Sequence, residues 1–356
     1  MKVLVAMSGG VDSSVAAKLL RDAGCECVGC TMKLFQNEDA GISRGHTCCA
    51  LDDVEDARSV AWRLGMEHFV FNFSDDFRRK VIGRFAEAYL NGRTPNPCID
   101  CNRFMKFNRL FDRADVLGCT HIATGHYARV AMENGKYVLK KALDETKDQS
   151  YVLYAMTQAQ LARTLFPLGE LRKSETRALA ESGGFVNARK PDSQDICFVP
   201  DGDYAAAVER YAGHPAEPGD FVDGNGCPLG KHRGVIRYTV GQHRGLGVPL
   251  PGKRYVVRVC AADNTVTLGE EADLYSAGAL VGEVSWIAGE PPAGPVRCAA
   301  KVRYRQREQR AWAEPLPGGK LRLRFDEPQR AVTPGQAAVL YDGDTVLGGG
   351  EILAAE

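Results

Sequence analysis

The sequence lacks an excess of charge of either sign, and it lacks any long hydrophobic run. Its 45 Lys and Arg residues balance 45 Asp and Glu residues, which argues against a uniformly basic nucleic-acid coat and against an acidic disordered tail. No run approaches the roughly 18 apolar residues of a membrane span, and the apolar stretch after Lys2 is too short for a signal peptide. We therefore expect a protein that is neither exported nor inserted into a membrane.

Cysteine is too sparse for a secreted domain held together by disulfides. The chain has 12 cysteines in 356 residues, and such domains carry a much higher density. The thiols are better explained as free, metal-binding or catalytic, and this favours a reducing cytoplasm. The length leaves room for two or three domains.

The first 200 residues alternate short apolar runs with amphipathic helical patterns. Strands are predicted at 1–7, 24–32, 68–73 and 120–124, and helices at 15–23, 53–64 and 75–90. This alternation is typical of parallel α/β units. We therefore predict an α/β domain with a parallel sheet over residues 1–200.

After about residue 200, glycine and proline multiply and helical periodicity nearly disappears. Strands are predicted at 281–287, 297–305, 320–325, 337–341 and 345–347, with Asp342-Gly343 as a hairpin turn. Many short strands in a small region indicate a barrel. We predict a C-terminal β-barrel over residues 276–356 and a small central α+β module over 201–275.

A glycine- and serine-rich loop follows the first predicted strand. Residues 8–14 read S-G-G-V-D-S-S and lead directly into a helix, so backbone N–H groups and the positive helix end converge on one spot that suits an anion. Gly9 and Gly10 permit a tight backbone and close ligand approach, and Asp12 could orient the loop or hold Mg²⁺. The loop has no Lys-Ser/Thr pair and no G-x-G-x-x-G, so it is neither a Walker A loop nor a dinucleotide fingerprint. A simple glycine-rich turn with a serine cap is the alternative.

The S-G-G-x-D-S string resembles the loop of the PP-loop ATP pyrophosphatases. That resemblance implies cleavage of ATP between the α and β phosphates, with adenylation of a substrate. Amidotransferase synthetases, lysidine-forming enzymes and thiolating enzymes share the loop, so the loop does not choose among these activities.

Cys98 and Cys101 lie in T-P-N-P-C-I-D-C-N, residues 94–102. Two prolines hold the preceding residues extended, and a helix is predicted just beyond. Cysteines at a helix N-terminus near Arg103 and Lys106 are expected to have a lowered pKa and to be rich in thiolate. A zinc knuckle, which needs a second cysteine pair, and a redox C-x-x-C remain alternatives. Most other cysteines are interpreted as buried core residues, and the adjacent Cys48 and Cys49 have no assigned role.

Five motifs in this order resemble one family, the tRNA-specific 2-thiouridylases, over essentially the whole chain. They are S-G-G-V-D-S at 8–13, N-P-C-x-x-C-N at 96–102, A-T-G-H-Y-A at 123–128, K-D-Q-S-Y at 147–151 and S-Q-D-I-C-F at 193–198. The resemblance continues in R-Y-R-Q at 303–306 and P-G-Q at 334–336.

The resemblance implies a role for each matching residue. Cys197 would carry a persulfide received from a sulfur-relay donor, and Cys101 would act as the nucleophile that releases the sulfur, leaving a disulfide between the two. ATP would be bound by Ala6, Met7, Ser8, Gly9, Gly10, Val11, Asp12, Ser13, Met32 and Gly125. The target base and the rest of the tRNA would be contacted by Asn96, Pro97, Cys98, His126, Lys147, Asp148, Gln149, Arg303, Tyr304 and Gln336.

One position departs from part of the family. Some members carry an aspartate where this chain has Cys98, and there the carboxylate is a candidate acid or base; Asp100 is a candidate substitute. The three cysteines Cys98, Cys101 and Cys197 also suit an iron–sulfur cluster with one open iron. We rank that route second to the persulfide.

Positive charge is concentrated in two stretches of this neutral chain. Residues 231–258 hold seven Lys and Arg and no Asp or Glu, and residues 297–324 hold nine against two. A strand would place Lys301, Arg303, Arg305 and Arg307 on one face, which favours RNA phosphates over a merely charged strand edge. His126 could be a capped loop histidine, but its place after Thr124-Gly125 at the carboxyl end of a strand, where open α/β sheets bind ligands, favours a functional role.

The resulting hypothesis is an ATP- and Mg²⁺-dependent sulfurtransferase that forms 2-thiouridine at the wobble position in the anticodon stem-loop of tRNA. It requires a sulfur donor and an external reductant. One rival is a PP-loop synthetase that activates a carbonyl for attack by an amine, and it would not need Cys101 or Cys197. The other is a non-catalytic RNA-binding protein that only senses ATP.

Overall fold

The N-terminal domain is built on a five-stranded parallel sheet in a computed structural model that describes residues 1–41, 49–192 and 196–356. Its elements in chain order are β1 (Lys2–Ala6), α1 (Val11–Asp22), β2 (Glu26–Lys33), α2 (Cys49–Arg63), β3 (His68–Asn72), α3 (Ser74–Phe77), α4 (Gly83–Leu90), α5 (Pro97–Asp100), α6 (Leu110–Val116), β4 (His121–Ala123), β5 (Ala128–Glu133), β6 (Lys136–Lys141), α7 (Gln158–Ala162), β7 (Thr164–Leu165) and α8 (Lys173–Ser182). The strand order is β3-β2-β1-β4-β7, and all four pairings are parallel.

The central strand β1 is buried because both faces of the sheet are covered. Val3, Leu4 and Val5 are each 0% exposed. Leu4 belongs to a core shared with the barrel, whereas Val3 and Val5 belong to a second core on the other face of the sheet. Alternate residues thus point to opposite faces, as expected for a sheet packed on both sides.

Two helices contain π-helical segments that their apolar patterns do not reveal. Arg78–Ile82 separates α3 from α4, and Cys101–Arg109 separates α5 from α6. The second segment contains a non-helical residue, Phe107 (φ −103°, ψ 24°). π-Helical insertions are rare and often lie at functional sites, and this one begins at Cys101.

The central domain combines one helix with a four-stranded sheet. Its elements are α9 (Tyr204–Ala212), β8 (Gly219–Val222), β9 (Pro228–His232), β10 (Tyr255–Cys260) and β11 (Thr265–Gly269), with strand order β10-β11-β8-β9. The Asp203 side chain caps α9 by accepting from Ala206 N at 2.9 Å, and Gly213, with φ of 80°, ends it. Both are common helix-end signals.

The C-terminal domain is a closed barrel that is extended by a hairpin from the first domain. Its strands are β12 (Tyr275–Trp286), β13 (Val296–Lys301), β14 (Gln309–Leu316), β15 (Lys320–Arg330), β16 (Ala337–Asp342) and β17 (Thr345–Ala355). They pair in the order β12-β15-β14-β13-β16-β17, and β12 also pairs with β17. The hairpin β5–β6 joins through β6 to β17, so the two domains share a sheet.

The predicted fold class is confirmed, including the parallel sheet, the small central domain and the barrel. The predicted strand at 297–305 is wrong in its second half, because β13 ends at Lys301 and a turn follows. Within the described ranges, no helix combines the length and the apolar character needed to cross a membrane.

Candidate active site

The loop between β1 and α1 is held open as a cradle of backbone N–H groups. Ser8 N donates to Ser13 Oγ at 3.1 Å, and the Ser13 and Ser14 hydroxyls each donate to Gly10 O at 3.0 Å. Gly10 is the N-cap of α1, and no side chain caps the helix there. The first N–H groups of α1 can therefore bind an anion.

Two glycines bring backbone so close to this loop that no side chain would fit. A Cβ on Gly9, whose φ is +77°, would lie 2.3 Å from Asp53 O. A Cβ on Gly125, just beyond the end of β4, would lie 2.7 Å from Ser13 N. The carboxyl ends of β1 and β4 thus meet at the loop, which is where open α/β sheets bind ligands.

Asn187 completes the cradle from a distant part of the chain. Its Nδ2 donates to Gly9 O at 2.8 Å and to Ser14 Oγ at 2.9 Å, whereas its buried Oδ1 has no hydrogen-bond partner among the described residues. A buried acceptor without a partner is costly. The glycine cradle and the uncapped helix fit the phosphates of a ligand, and the Asn187 oxygen would accept a hydrogen bond from a donor elsewhere on that ligand.

Asp12 is engaged by a buried lysine that the sequence did not single out. Its Oδ1 accepts from Lys173 Nζ at 2.6 Å and from the Tyr127 hydroxyl at 3.0 Å. Lys173 Nζ also lies 2.8 Å from Asp192 Oδ1. Asp12 therefore pairs with the ammonium of Lys173 as well as bordering the loop.

The helix α5, which carries Cys98, begins directly after the extended segment that the two prolines predict. Pro97 is the first residue of α5, and Asn96 caps the helix by accepting from Cys98 N at 3.1 Å. Cys98 is exposed, whereas Cys101 is buried. Cys101 thus starts the π-helical segment inside the protein, one turn beyond an exposed thiol.

The expectation of a thiolate-rich Cys101 is wrong. Burial raises the pKa of Cys101 to about 11, and the charge of Lys106 offsets only part of that effect. Desolvation of the thiolate outweighs the positive helix end and the neighbouring cation. Cys101 is therefore a neutral thiol in this state.

Cys197 lies near Cys101 although 96 residues separate them in the chain. Phe198, the next residue, packs edge-on against Phe77 and Phe85 with ring centroids 5.7 and 5.2 Å away. That core also contains Cys101. Cys197 is exposed at the surface, yet the protein atoms crowded around its sulfur desolvate the thiolate and raise the pKa of Cys197, and the charges of Cys101 and Cys98 act in the same direction.

The three thiols are therefore close enough to interact electrostatically. Cys101 and Cys197 are both free. In the part of the chain that the structure describes, no group of three or more His, Cys, Asp or Glu side chains is arranged to hold a metal ion. Residues 193–195 of the cysteine motif and Cys48 lie outside the described residues.

We predict a steep pH dependence for alkylation of Cys101. With a pKa of about 11, its thiolate fraction at pH 7.5 is about 300-fold below that of a free cysteine, and higher thiolate nucleophilicity recovers only part of this. Iodoacetamide labelling followed by peptide mass spectrometry is expected to rise about tenfold per pH unit up to pH 10. A free-cysteine peptide serves as reference and levels off above its pKa; a plateau for Cys101 near pH 8.5 would contradict the prediction.

The predicted RNA-contacting residues of the first domain are engaged within the protein. Lys147 Nζ donates to Asp192 Oδ2 at 2.8 Å, Asp148 is buried and accepts from Ala142 N at 3.0 Å, and Gln149 Oε1 accepts from Tyr127 N at 3.0 Å. These bonds tie the K-D-Q motif to the segments around the loop of residues 8–14.

His126 also lies in the interior. Its ring packs against Phe107 and Phe166, and its Nδ1 lies 2.7 Å from Thr124 Oγ1. Burial lowers the pKa of His126 well below its ordinary value, and the charge of Lys106 acts in the same direction. Lys106 also acts on Cys101 and Cys197, so the thiols and the Gly125-His126 turn share one electrostatic environment.

The predicted cationic strand face around Arg303 is wrong. Because β13 ends at Lys301, the four cations do not alternate along one strand. Arg303 Nη2 donates to Val240 O at 2.8 Å, Ala331 O at 3.1 Å and Thr333 Oγ1 at 2.6 Å. Burial lowers the pKa of Arg303, and the residue joins the barrel to the central domain.

Arg303→Ala is expected to reduce the free energy of unfolding by about 2 kcal/mol or more, because three acceptors lose a charged donor. Arg305→Ala, in the same turn but exposed, is the matched control and is expected to change it by about 0.5 kcal/mol at most. Urea unfolding measures both. If the two variants are equally stable and only Arg303→Ala loses affinity for RNA, Arg303 contacts RNA and does not stabilise the fold.

Two other barrel residues, Tyr304 and Gln336, contact the N-terminal domain. Tyr304 OH donates to Asp148 O at 3.3 Å, and Gln336 Nε2 donates to Thr94 O at 2.7 Å. Thr94 begins the motif that leads to Cys98 and Cys101. These two barrel residues, which the sequence predicts to contact tRNA, therefore hold the barrel against the K-D-Q motif and against the segment that leads to Cys98.

A cavity of about 210 Å³ lies between the N-terminal domain and the barrel, and it borders Asn96 and Asp100. Arg84 Nη2 and Arg103 Nη1 lie 3.5 and 3.2 Å from the Glu283 carboxylate of the barrel. Arg84 Nε also donates to Asp100 Oδ2 at 3.1 Å. Burial raises the pKa of Asp100 although Arg84 opposes the shift. The guanidinium groups of Arg84 and Arg103 thus line this boundary between the two domains, beside α5.

The fold and the loop define the chain as a nucleotide-binding α/β protein of the PP-loop class with a small central α+β domain and a C-terminal β-barrel. Three family models match it: a tRNA methyl transferase HUP domain over residues 1–201, a tRNA methyl transferase PRC-barrel domain over 207–270 and an aminomethyltransferase beta-barrel domain over 276–352.

Curated relatives are similar over the whole chain. The tRNA-specific 2-thiouridylase MnmA of Acetivibrio thermocellus is 49% identical, covering 99% of both chains. The proteins of that name from Symbiobacterium thermophilum and Clostridium acetobutylicum are 47% and 44% identical, covering 99% of this chain and 92% and 99% of their own. The chain belongs to the tRNA-specific 2-thiouridylase family. A 4-thiouridine synthetase–RNA complex with bound ATP, 18% identical with a TM-score of 0.37 over 59% of this chain and 51% of its own, is too distant to add to this.

Sequence reasoning missed Lys173, Asn187 and Asp192. Lys173 and Asn187 lie in stretches without a glycine-rich or cysteine motif, and Asp192 lies just before the S-Q-D-I-C-F motif but carries no signal of its own; only tertiary contacts bring the three to the loop. The one available signal for Lys173 was its place at the first turn of α8, where a cation is unfavourable.

Proposed function

We propose that this chain is an ATP-dependent tRNA sulfurtransferase that forms 2-thiouridine at the wobble uridine. The observation that carries the proposal is the common core of Phe198 and Cys101, which brings the Cys197 thiol into the electrostatic environment of Cys101. A carbonyl-activating synthetase would have no use for two such thiols, and a protein that only senses ATP would have no use for either.

The first step is adenylation of the uracil O2. The N–H groups of residues 8–13 and the end of α1 bind the phosphates, with Met32 and Gly125 as further contacts to the nucleotide. The O2 oxygen attacks the α-phosphorus, pyrophosphate leaves, and N3 of the base loses a proton. Mg²⁺, when bound at Asp12, would neutralise charge on the departing pyrophosphate.

The second step transfers sulfur from Cys197. The terminal sulfur of its persulfide attacks C2, and AMP leaves. The Cys101 thiolate then attacks the Cys197 sulfur, a Cys101–Cys197 disulfide forms, and the electron pair of the broken S–S bond stays on the thiouridine sulfur as N3 regains a proton. An external dithiol reduces the disulfide.

The high pKa of Cys101 fits the order of these steps. Cys101, with a pKa of about 11, is a weak nucleophile at rest and does not consume the persulfide of Cys197 prematurely. Substrate contacts that favour the thiolate would activate it. We propose Asn96, Pro97 and Cys98 as contacts to the target base.

The tRNA partner fits the distribution of positive charge. The central stretch 231–258 holds seven Lys and Arg without an acidic residue, and phosphate contacts of this kind position RNA. The wobble base must leave its stack to reach a protein pocket. We propose that His126, Lys147, Asp148, Gln149, Arg303, Tyr304 and Gln336 shape the surface for the anticodon stem-loop.

The test is mass spectrometry of nucleosides from tRNA incubated with the protein, ATP and a sulfide source. We expect 2-thiouridine at the wobble position, with AMP and pyrophosphate in equal amounts. Absence of both thiouridine and pyrophosphate would favour the ATP-sensing rival, and pyrophosphate with an amine adduct would favour the synthetase.

The iron–sulfur route on Cys98, Cys101 and Cys197 makes a different prediction. Protein purified without oxygen would contain iron and sulfide and would lose activity when the iron is removed. Our proposal expects iron-free protein that still thiolates tRNA. The identity of the sulfur donor and of the reductant, and the cytoplasmic location, remain predictions.

A further inference from the structure

One carboxylate oxygen of the barrel lies between two guanidinium groups of the N-terminal domain. Glu283 Oε2 is 3.2 Å from Arg103 Nη1 and 3.5 Å from Arg84 Nη2. A phosphate oxygen makes the same kind of contact, because a guanidinium binds carboxylate and phosphate through the same N–H groups. Arg84 and Arg103, which we call the arginine clamp, are thus arranged around the position of one anionic oxygen.

Contacts other than Glu283 also hold the arginine clamp. Both guanidinium groups pack over the ring of Phe104, with the Cζ atoms of Arg84 and Arg103 5.6 and 5.3 Å from its centroid. Arg84 Nε donates to Asp100 Oδ2 at 3.1 Å, so the bond to Asp100 does not use the Nη2 atom that faces Glu283. The cation–π contacts and this ion pair therefore keep the clamp in place when the Glu283 carboxylate leaves.

Glu283 is the carboxylate of the clamp that an incoming anion can replace. Its side chain is 51% exposed, whereas that of Asp100 is 17% exposed, and exposed ion pairs contribute little to stability. Glu283 also has a φ of +46° within β12. This left-handed conformation is uncommon for residues other than glycine, and such residues cluster at functional sites.

The arginine clamp borders the cavity between the N-terminal domain and the barrel. Asn96, which we propose as a contact to the target base, lines the same cavity, and Cys98 lies two positions beyond it. The other charged residues of the cavity wall are Glu87, Arg93, Asp100 and Glu351. Since three of these four are acidic, the clamp is the part of the wall that suits a phosphate.

We propose that the arginine clamp binds one phosphodiester of the RNA chain next to the target uridine, and that Glu283 occupies the clamp in the free protein as a substitute anion. The clamp rests on the proposed function, because it takes RNA as the substrate and this cavity as the place of the target base. The phosphate takes the position of Glu283 Oε2, and the displaced side chain turns into solvent. A phosphodiester carries the same single charge as the carboxylate that it replaces, so Glu283 competes with RNA and lowers its affinity.

The test measures binding of a labelled anticodon stem-loop RNA by fluorescence anisotropy at several salt concentrations. Glu283→Gln removes the competing charge, and we expect the RNA to bind at least about 3-fold more tightly. Arg103→Gln removes half of the clamp, and we expect about 10-fold weaker binding, with the slope of log affinity against log salt reduced by about 0.7 to 1. In the double variant the gain from Glu283→Gln is expected to shrink, because the two residues share one contact.

The matched control is Glu314→Gln, which changes the net charge of the barrel equally. It removes an exposed carboxylate 3.9 Å from Arg322 Nη1, and Glu314 does not line the cavity. We expect its RNA affinity to equal that of the unaltered chain. No gain for Glu283→Gln, or the same gain in both glutamine variants, would overturn the proposal.

Two further outcomes separate the clamp from the proposed function. If Glu283→Gln strengthens the binding of inorganic phosphate in equilibrium dialysis but not that of RNA, the clamp takes a free anion and the proposal is wrong. If the unaltered chain does not bind the RNA at all, the proposed function fails together with the clamp. Binding of RNA that neither Glu283→Gln nor Arg103→Gln changes contradicts the clamp alone.

Discussion

Cys197→Ser is expected to reduce formation of 2-thiouridine by about 10³-fold or more, while tRNA-dependent release of pyrophosphate continues. The serine cannot carry a persulfide, but it leaves the loop of residues 8–13 and the core around Phe198 untouched. The expected product is therefore adenylated tRNA, or AMP from its hydrolysis, without sulfur. Parallel assays of nucleosides and pyrophosphate measure the two activities.

The control for this prediction is Cys227→Ser, which removes an exposed thiol of the central domain. It is expected to retain both activities. If Cys197→Ser thiolates tRNA at the rate of the control, the protein does not pass sulfur through Cys197, and both the persulfide route and an iron–sulfur cluster that uses Cys197 as a ligand are contradicted.

Gly9→Ala is expected to weaken ATP binding about 100-fold or more and to abolish both activities. Its Cβ would lie 2.3 Å from Asp53 O, so either the loop or α2 must move, and the N–H groups that face the phosphates move with them. The positive φ adds about 1–2 kcal/mol of backbone strain for an alanine. Equilibrium dialysis with ATP measures the loss of affinity.

Gly24→Ala separates the collision from the strain. Gly24 has nearly the same φ, +79°, but a Cβ there meets nothing within 4 Å. The two variants are expected to show similar backbone strain, and only Gly9→Ala should lose ATP affinity. Comparable ATP affinity in both variants would contradict the assignment of the nucleotide to this loop.

The architecture was accessible from sequence where local pattern and burial agree. Alternating strands and helices predicted the parallel sheet, because each strand's apolar run and each helix's amphipathic face are encoded in adjacent residues. The hairpin β5–β6 was missed, although Asn134-Gly135, both with positive φ, is a typical hairpin turn. Its attachment to β17 pairs Lys140 with Thr345, and no local pattern reveals a contact between residues so far apart in the chain.

The site was less accessible because its chemistry depends on desolvation. The spacing near Cys98 indicated a reactive helix end, but only packing reveals that Cys101 is buried and protonated. Alternation of Lys301, Val302 and Arg303 resembles a strand, yet Arg303 bonds to acceptors around residues 240 and 331–333 and leaves the strand. Lys173 belongs to no motif and Asp192 lies just outside the cysteine motif at 193–198, so only the tertiary contact between them, 2.8 Å from Nζ to Oδ1, brings them together.

The most direct measurement is a single turnover of persulfide-loaded protein with ATP and tRNA in the absence of a reductant. Nucleoside and peptide mass spectrometry on the same sample quantify 2-thiouridine and the Cys101–Cys197 linked peptide. We predict one disulfide for each thiouridine formed. Thiouridine in full amount with both cysteines still reduced would contradict the account.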